Sequence, residues 1–220
     1  MNRPNLFILL PLLSFFWLVS GVFTAGFLYP GYSHLAQFMS VLGATGTEHG
    51  AWVNLIVFAG AEIWVILFVV FALRAVSGRP LVMAGLILLG LYAVLLMIAA
   101  LFPCDFECRP EAPSLSHLVH AAAGFLAYLS GLCGLYLVSL GLRRADSVKV
   151  QVRLAAALFV AGAGLLSGIV LSQDFGGLFQ RLLEILLYVW MVLAGIALSH
   201  VQANDRLLMR QPQTWHGSKS

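Results

Sequence analysis

The stretch LVMAGLILLGLYAVLLMIAALF, residues 81–102, decides the fold class, because its 22 residues follow one another without a charge. As a helix that rises about 1.5 Å per residue it is about 33 Å long, which matches a hydrocarbon core of about 30 Å. Five other stretches of comparable composition occur. We therefore predict an all-α integral membrane six-helix bundle over residues 1–200. Its spans are placed at residues 6–28, 51–73, 81–102, 117–142, 154–171 and 182–200.

The composition indicates that lipid is the solvent of most of the chain. Hydrophobic residues make up 61% and charged residues 10% of the sequence, whereas soluble domains carry about a quarter of their residues as charges. Twelve Lys and Arg against nine Asp and Glu give a net charge of +3. Because the basic residues are scattered over short loops, the sequence predicts membrane lipid as a partner and no nucleic acid.

The distribution of Lys and Arg predicts the orientation of the spans, since positive residues near span ends are retained in the cytoplasm. Alternate connections hold ten such residues on one side and two on the other, so both termini are predicted to be cytoplasmic. The connections at residues 29–50, 103–116 and 173–181 then face outward, and residues 201–220 form a polar cytoplasmic tail. The ten are Arg3, Arg74, Arg79, Arg143, Arg144, Lys149, Arg153, Arg206, Arg210 and Lys219, and the two are Arg109 and Arg181.

Small residues predict which spans approach each other, since helices in lipid pack closely where side chains are short. Gly164 and Gly168 form a G-x-x-x-G pattern in the fifth span, and Gly131 and Gly134 mark the fourth. We expect these two spans to pack together at the centre of the bundle.

Glu62 lies near the middle of the second span, where an isolated carboxylate is costly to keep charged. It is therefore expected to be protonated or hydrogen-bonded to a neighbouring helix. One interpretation is an intramembrane acid that relays protons or cations, and the other is a neutral acid bonded to a carbonyl or hydroxyl. No second buried acid is evident at the same depth, which favours the neutral acid.

Glu184 lies about one turn inside the last span from Arg181, and the i, i+3 spacing places both on one helix face. A local ion pair is the simplest interpretation. The alternative is a polar cluster at the outer end of the bundle. His117 and His120 begin the fourth span at the same spacing, and Asp174 lies in the last outer connection.

The first outer connection carries an amphipathic pattern. Four apolar residues recur at i, i+3, i+4 and i+7, which predicts a helix that Gly43 closes and that lies along the membrane or re-enters it. Either placement brings His34 and Ser40 to the mouth of the bundle. The four apolar residues are Leu35, Phe38, Met39 and Leu42.

The second outer connection holds Cys104 and Cys108, whereas Cys133 lies within a span and is expected to be a small apolar filler. An oxidising compartment favours a disulfide between the first two. Alternatively, their thiolates and the imidazoles of His117 and His120 can hold zinc, although Cys-x3-Cys is not a standard zinc spacing. The disulfide is the preferred interpretation, and no cofactor is then predicted.

Two segments resemble a known family. The first runs from Tyr32-Ser33-His34 to Ser40-Val41-Leu42-Gly43-Ala44, and the second joins FPCD at residues 102–105 to PSLSH at residues 113–117 and to His120. Together they resemble the bacterial and archaeal membrane proteins catalogued as domain of unknown function 998. The resemblance covers about residues 6–200. It implies six helices and an inner-membrane location, without an established activity.

A more distant likeness connects residues 40–46, His120 and Glu184 with positions in the Frag1/DRAM/Sfk1-like eukaryotic proteins. Those proteins are linked to lipid remodelling and lipid asymmetry. This chain has Thr47-Glu48-His49 where they carry a Pro-Glu pair after the glycine turn, so no role is transferred from them.

The sequence leaves three functions open. The first is an enzyme that acts on a lipid at the outer leaflet with a histidine as general base. The second is a proton-coupled or lipid transporter whose path is marked by Glu62 and Glu184, and the third is a structural or regulatory component. The sequence contains no phosphate-binding glycine loop, H-E-x-x-H or G-x-S-x-G motif. The candidate lipid site is the polar cluster of His34, Ser40, Asp105, His117, His120 and Glu184.

Reporter fusions test the predicted orientation. Alkaline phosphatase, which is active only outside the cytoplasm, is expected to be active when fused after Glu111 and inactive when fused after Arg144. Green fluorescent protein at the same two positions is expected to give the opposite pattern. An active phosphatase at Arg144 together with an inactive one at Glu111 contradicts the orientation.

Overall fold

The chain is helical in its computed structural model, which describes residues 3–76, 78–142, 148–172 and 174–210. Six helices are long and apolar enough to cross a membrane, which confirms the predicted fold class and the multi-pass character. Within those ranges no strand occurs. The helices are α1 (Arg3–Leu28), α2 (Gly50–Ala75), α3 (Pro80–Leu101), α4 (Leu115–Gly141), α5 (Val148–Leu171) and α6 (Gly176–Arg210).

Local chemistry explains several helix boundaries. Pro80 lies in the first turn of α3, where its missing N–H leaves no hydrogen bond unmade. Ser114 precedes α4, and its hydroxyl accepts a hydrogen bond from the backbone N–H of His117 at 3.2 Å. α6 continues past the predicted end of its span to Arg210. The predicted tail therefore begins as helix, and residues 211–220 of it lie outside the described residues.

α3 and α4 form the most extensive helix pair in the described part of the chain. A Cβ atom built on Gly85 would lie 2.5 Å from the carbonyl oxygen of Gly134, and one built on Gly134 would lie 2.7 Å from that of Gly85. A Cβ atom on Gly131 would lie 2.9 Å from the ring of Tyr92. The two backbones approach each other because these positions carry no side chain.

The fourth and fifth spans do pack together, at Leu132 and Gly162, but the expectation that the fifth span lies at the centre of the bundle is wrong. Only 17% of the most apolar stretch of α5 is buried, against 50% in α4. A Cβ atom on Gly164 would meet nothing within 4 Å, while Gly168 faces Phe179 of α6. The α4 glycines face α3 instead. A small-residue pattern marks a contact surface but does not identify the partner helix.

α2 contains a π-helical segment, Val53–Phe58, and α1 stabilises it. A π turn interrupts the regular i to i−4 hydrogen bonds of the α-helix. In hydrocarbon no water is present to bond to the carbonyl groups at this interruption. The indole Nε1 of Trp17 donates to the carbonyl of Ile56 at 2.8 Å. One turn away, the hydroxyl of Ser14 donates to the carbonyl of Ala61 at 2.8 Å. These bonds fix α1 against the backbone of α2.

The first connection, residues 29–49, is not the predicted continuous amphipathic helix. Only Met39–Gly43 is helical, as a short 3-10 helix. The apolar residues that were expected on one face are divided, because Leu35 is exposed whereas Met39 and Leu42 are buried. The loop therefore re-enters the bundle at residues 39–43, and we call it the re-entrant loop.

The start of α6 holds the re-entrant loop in place. The N–H groups of Gly177 and Leu178 donate to the carbonyl oxygens of Ala36 at 3.3 Å and Leu35 at 2.8 Å. The first N–H groups of a helix have no partner inside that helix, so they are available to the loop. The carbonyl groups of Leu35 and Ala36 thus bond to another helix rather than to N–H groups of the loop, which is why the amphipathic pattern does not produce a continuous helix.

The second connection, residues 102–114, covers the re-entrant loop. Cys104 and Cys108 form a disulfide, as predicted. The N–H of Thr45 donates to the carbonyl of Cys104 at 2.8 Å, and the hydroxyl of Tyr29 donates to the carboxylate of Glu107 at 2.6 Å. That hydrogen bond, together with burial, raises the pKa of Tyr29 to about 12. We call the end of the bundle that carries both loops the disulfide end.

The close contact between α3 and α4 predicts a selective response to added methyl groups. Gly134→Ala is expected to lower the free energy of unfolding by about 1–3 kcal/mol, because the new Cβ overlaps the α3 backbone. Gly164→Ala is the matched control, since its Cβ has open space and alanine favours a helix. Thermal unfolding in detergent measures both variants. Equal stability of the two contradicts the proposed packing.

Candidate functional site

A cavity of about 80 Å³ lies inside the bundle at the disulfide end, and we call it the acid cavity. It is large enough for a few water molecules or one small polar group. Its polar lining comes from the re-entrant loop, α2, α4 and α6. The polar lining residues are Ser40, Glu62, His120, Tyr128, Gln180 and Glu184.

Glu184 lies at the centre of a hydrogen-bond network. Its side chain is 5% exposed, and its carboxyl oxygens accept from the hydroxyl of Tyr128 at 2.8 Å and from that of Tyr92 at 3.1 Å. Gln180 donates through Nε2 to the hydroxyl of Tyr128 at 3.3 Å. Its Oε1 accepts from the N–H of Met39 at 2.7 Å. The network therefore joins α3, α4, α6 and the re-entrant loop.

The predicted ion pair between Arg181 and Glu184 does not form. The guanidinium of Arg181 donates to the hydroxyl of Tyr32 at 2.6 Å and to the carbonyl of Gln37 at 3.1 Å. The i, i+3 spacing permits the ion pair, but a long arginine side chain also reaches polar groups at the membrane surface. Arg181 therefore holds the re-entrant loop, and the tyrosines satisfy the carboxyl group.

Glu62 shares the acid cavity with Glu184 and is 3% exposed. Its Oε2 atom has no hydrogen-bond partner among the residues that the structure describes. The expectation that no second buried acid lies at the same depth is wrong, because α2 and α6 each contribute one carboxyl group to this cavity. A buried oxygen without a partner is costly, so the site favours an occupant that supplies a hydrogen-bond donor.

The backbone at the end of α3 fixes the imidazole of His120. Its Nδ1 lies 2.8 Å from the carbonyl oxygen of Ala99 and 3.1 Å from that of Phe102. Carbonyl groups only accept hydrogen bonds, so Nδ1 carries the proton and the neutral ring keeps Nε2 as an acceptor. No hydrogen bond to Nε2 is found within the described ranges. His120 thus adds an acceptor to the acid cavity.

A groove of about 230 Å³ adjoins the acid cavity between α4 and α5, and we call it the lateral groove. Its wall includes Phe125 and Val170, whose side chains are exposed on the outside of the bundle. The lateral groove thus lies between the acid cavity and the exposed apolar surface of the bundle. Five residues line both spaces: Ser40, His120, Gly124, Tyr128 and Gln180.

The disulfide lies at one end of the lateral groove, next to Ser40. The Oγ atom of Ser40 is 3.4 Å from the Sγ atom of Cys108. Because a disulfide sulfur carries no proton, the serine hydroxyl is the donor. The disulfide uses both thiols of the alternative zinc set, and the described part of the chain contains no group of three His, Cys, Asp or Glu residues that could hold a metal.

Asp105 lies in the second connection and His117 at the start of α4, and neither lines the acid cavity. The carboxylate of Asp105 accepts from the hydroxyl of Ser114 at 2.6 Å and from its N–H at 2.8 Å. These hydrogen bonds lower the pKa of Asp105. The Nδ1 of His117 accepts the N–H of Asp105 at 3.3 Å, and its ring lines the lateral groove. Both residues position the loop that precedes α4.

His34 lies beside α1, away from the acid cavity. Its ring centroid is 4.9 Å from that of Phe23, and its Nδ1 is 3.1 Å from the guanidinium of Arg181. Burial and the charge of Arg181 lower the pKa of His34. Asp174 is exposed in its loop. The members of the predicted polar cluster that the structure brings together around the acid cavity are Ser40, His120 and Glu184.

Sequence reasoning missed Tyr92, Tyr128 and Gln180, which bond directly to Glu184 or to one another. A tyrosine within a span passes as an apolar residue in a hydropathy argument. Its hydroxyl nevertheless needs a partner in hydrocarbon, and this requirement is the signal that could have identified the two tyrosines. Nothing in the sequence pairs either of them with Glu184.

Comparison with known proteins gives a family and no activity. A family model described as "Protein of unknown function (DUF998)" matches residues 12–197. The match includes both loops at the disulfide end and every residue of the acid cavity. No curated protein and no solved structure matches the chain.

The network around Glu184 predicts that the hydroxyl of Tyr128 contributes more to stability than that of Tyr136 on the same helix. Tyr128→Phe removes a donor to a buried carboxyl group and is expected to lower the free energy of unfolding by about 1–2 kcal/mol. Tyr136→Phe is the control, because that ring packs on Phe159 and its hydroxyl makes no hydrogen bond to any described residue. Unfolding in mixed micelles compares the two. A loss of equal size in both variants contradicts the network.

Proposed function

The chain belongs to the DUF998 family of proteins of unknown function, and from that premise we propose that it binds a membrane lipid. The apolar part of the lipid lies in the lateral groove, and its polar group enters the acid cavity. Under the predicted orientation the disulfide end faces outward, so the lipid comes from the outer leaflet of the plasma membrane.

The junction of the two spaces supports this proposal. A lipid needs an apolar channel and a polar site in contact with each other, and the lateral groove and the acid cavity share five lining residues. Exposed apolar side chains of α4 and α5 flank the groove, so a chain can enter from the side without crossing a polar barrier.

The single observation that carries the proposal is the unpartnered Oε2 of Glu62. The other buried carboxyl group, on Glu184, has two tyrosine hydroxyls as partners. A structural network would be expected to satisfy both acids, because each unmet buried polar group costs free energy. A cavity lined by an acid with an unpartnered oxygen, next to an open groove, is typical of a binding site.

Binding is favoured over hydrolysis by the arrangement of Ser40 and His120. A serine nucleophile needs a histidine within hydrogen-bond reach, and in the described structure the hydroxyl of Ser40 contacts Cys108 instead. The Nδ1 of His120 bonds to backbone carbonyls rather than to a carboxylate that would orient a general base. Both residues therefore serve as polar lining of the site.

A proton-coupled or lipid transporter is the second candidate, because Glu62 and Glu184 line one cavity. A transport path has to continue to the other end of the bundle. A separate cavity of about 360 Å³ lies there between α4, α5 and α6, and it includes Trp190 and His200. It shares no lining residue with the acid cavity and has no acidic residue in its described lining. Binding therefore has the stronger support.

Gly124→Leu tests the lipid proposal. A Cβ atom on Gly124 would meet nothing within 4 Å, so a leucine there fills the shared space without displacing backbone. The probes are phosphatidylcholine and phosphatidylethanolamine with a diazirine on one acyl chain, in nanodiscs of the same two lipids. Photolabelling of residues 166–170 is expected to fall about tenfold in the variant, which corresponds to about 1.4 kcal/mol of binding.

Gly164→Leu is the matched control for this experiment. This variant carries the same substitution at another membrane-helix glycine with open space around it. Gly164 lines neither the groove nor the acid cavity. Its labelling is expected to equal that of the unmodified protein. Labelling of residues 166–170 that survives Gly124→Leu unchanged would place the lipid elsewhere and refute the proposal.

A further inference from the structure

We infer that the acid cavity selects a protonated amine, a small group with several N–H donors, as the polar part of its ligand. This inference rests on the proposed function and specifies the chemical class that the site takes. Its basis is the hydrogen-bonding capacity that remains in the cavity once the contacts between the lining residues are counted.

Two of the polar lining residues are already bonded to their neighbours. The hydroxyl of Tyr128 donates to Glu184 and accepts from Gln180. Gln180 accepts from the N–H of Met39 through Oε1 and uses Nε2 for the tyrosine. Neither residue is poised to exchange its partner for a ligand, so both serve to position Glu184.

The remaining capacity is almost entirely that of acceptors. Glu62 has an unpartnered Oε2, and His120 keeps the lone pair of Nε2 because its Nδ1 proton is bonded to Ala99. Each carboxyl oxygen of Glu184 accepts one tyrosine hydroxyl and can accept a second donor. Among the polar lining residues described, the hydroxyl of Ser40 already donates to Cys108, and the second N–H of the Gln180 amide is the one donor left. A complementary occupant must therefore bring several donors of its own.

The charge of the cavity also favours a protonated amine. Its described lining has two carboxyl groups and no Lys or Arg. Arg181 lies one turn from Glu184 on α6, but its guanidinium bonds to Tyr32 and to backbone carbonyls of the loop and of α6. A buried carboxylate is retained where an opposite charge accompanies it, and a ligand ammonium group supplies that charge together with three N–H donors.

An ammonium group fits this cavity better than a metal ion does. A metal needs three or more ligating groups that converge on one point, and no such group occurs in the part of the chain that the structure describes. The cavity of about 80 Å³ matches a small polar head group instead.

The test compares two lipid probes that differ only in the amine of the head group, which carries three hydrogens in one and three methyl groups in the other. Diazirine-labelled phosphatidylethanolamine has three N–H donors, whereas the matching phosphatidylcholine has the same phosphate and a quaternary ammonium group without any. In nanodiscs of phosphatidylcholine, the ethanolamine probe is expected to label residues 166–170 about tenfold more strongly, since a charge-assisted hydrogen bond contributes about that factor.

Isosteric variants show whether the acids cause this preference. Glu62→Gln and Glu184→Gln keep the size of each side chain and remove the carboxylate, so each is expected to bring the labelling ratio of the two probes close to one. Glu111→Gln is the control, because Glu111 is an exposed acid of the second loop. A preference for the ethanolamine probe that persists in both cavity variants overturns the inference.

The outcomes separate the inference from the proposed function. Equal labelling of residues 166–170 by both probes overturns the amine selectivity and leaves lipid binding in place. Labelling of those residues by neither probe removes the lipid function. A soluble amine is then tested with free ethanolamine, through protection of Glu62 from a hydrophobic carbodiimide. Protection supports an amine from solution, and its absence overturns the inference as well.

Discussion

Hydrocarbon offers no hydrogen bonds, so every polar group within the membrane has to find its partner in the protein. The contacts that hold this bundle together follow from that constraint. The indole of Trp17 bonds to a carbonyl in the π-helical segment of α2, and Ser14 bonds to the next turn of the same helix. Two tyrosines bond to the carboxyl group of Glu184. Each of these hydrogen bonds joins two different helices. In lipid, apolar side chains alone do not determine which helices pair.

One buried polar group does not meet this requirement for a hydrogen-bond partner, and it marks the candidate binding site. Each carboxyl oxygen of Glu184 has a hydrogen-bond partner, and the network extends through Gln180 to the re-entrant loop. Glu62 borders the same cavity with one oxygen unpartnered. The network thus forms part of the cavity wall, and the acid with the unpartnered oxygen lines the same space. The adjoining lateral groove lies between that space and the exposed apolar surface, which is the arrangement that the proposed lipid-binding site requires.

The two loops at the disulfide end show which features a local sequence pattern predicts correctly and which it does not. The disulfide between Cys104 and Cys108 was predictable, because it depends on two residues close in sequence and on their compartment. The helix expected in the re-entrant loop did not form, since the free N–H groups at the start of α6 take its carbonyl groups. Likewise the ion pair of Arg181 with Glu184 is locally permitted, but both side chains have partners on distant segments.

By itself the sequence determined the membrane class, the six spans, the disulfide and the two acids that do not suit hydrocarbon. These are properties of single segments, and hydropathy, charge and length are sufficient to assign them. Only the tertiary structure decided that Glu62 and Glu184 share a cavity with His120 and Ser40, and that His34 and Asp105 lie apart from it. The rotation and depth of each helix are set by its packing against helices that are remote in the chain.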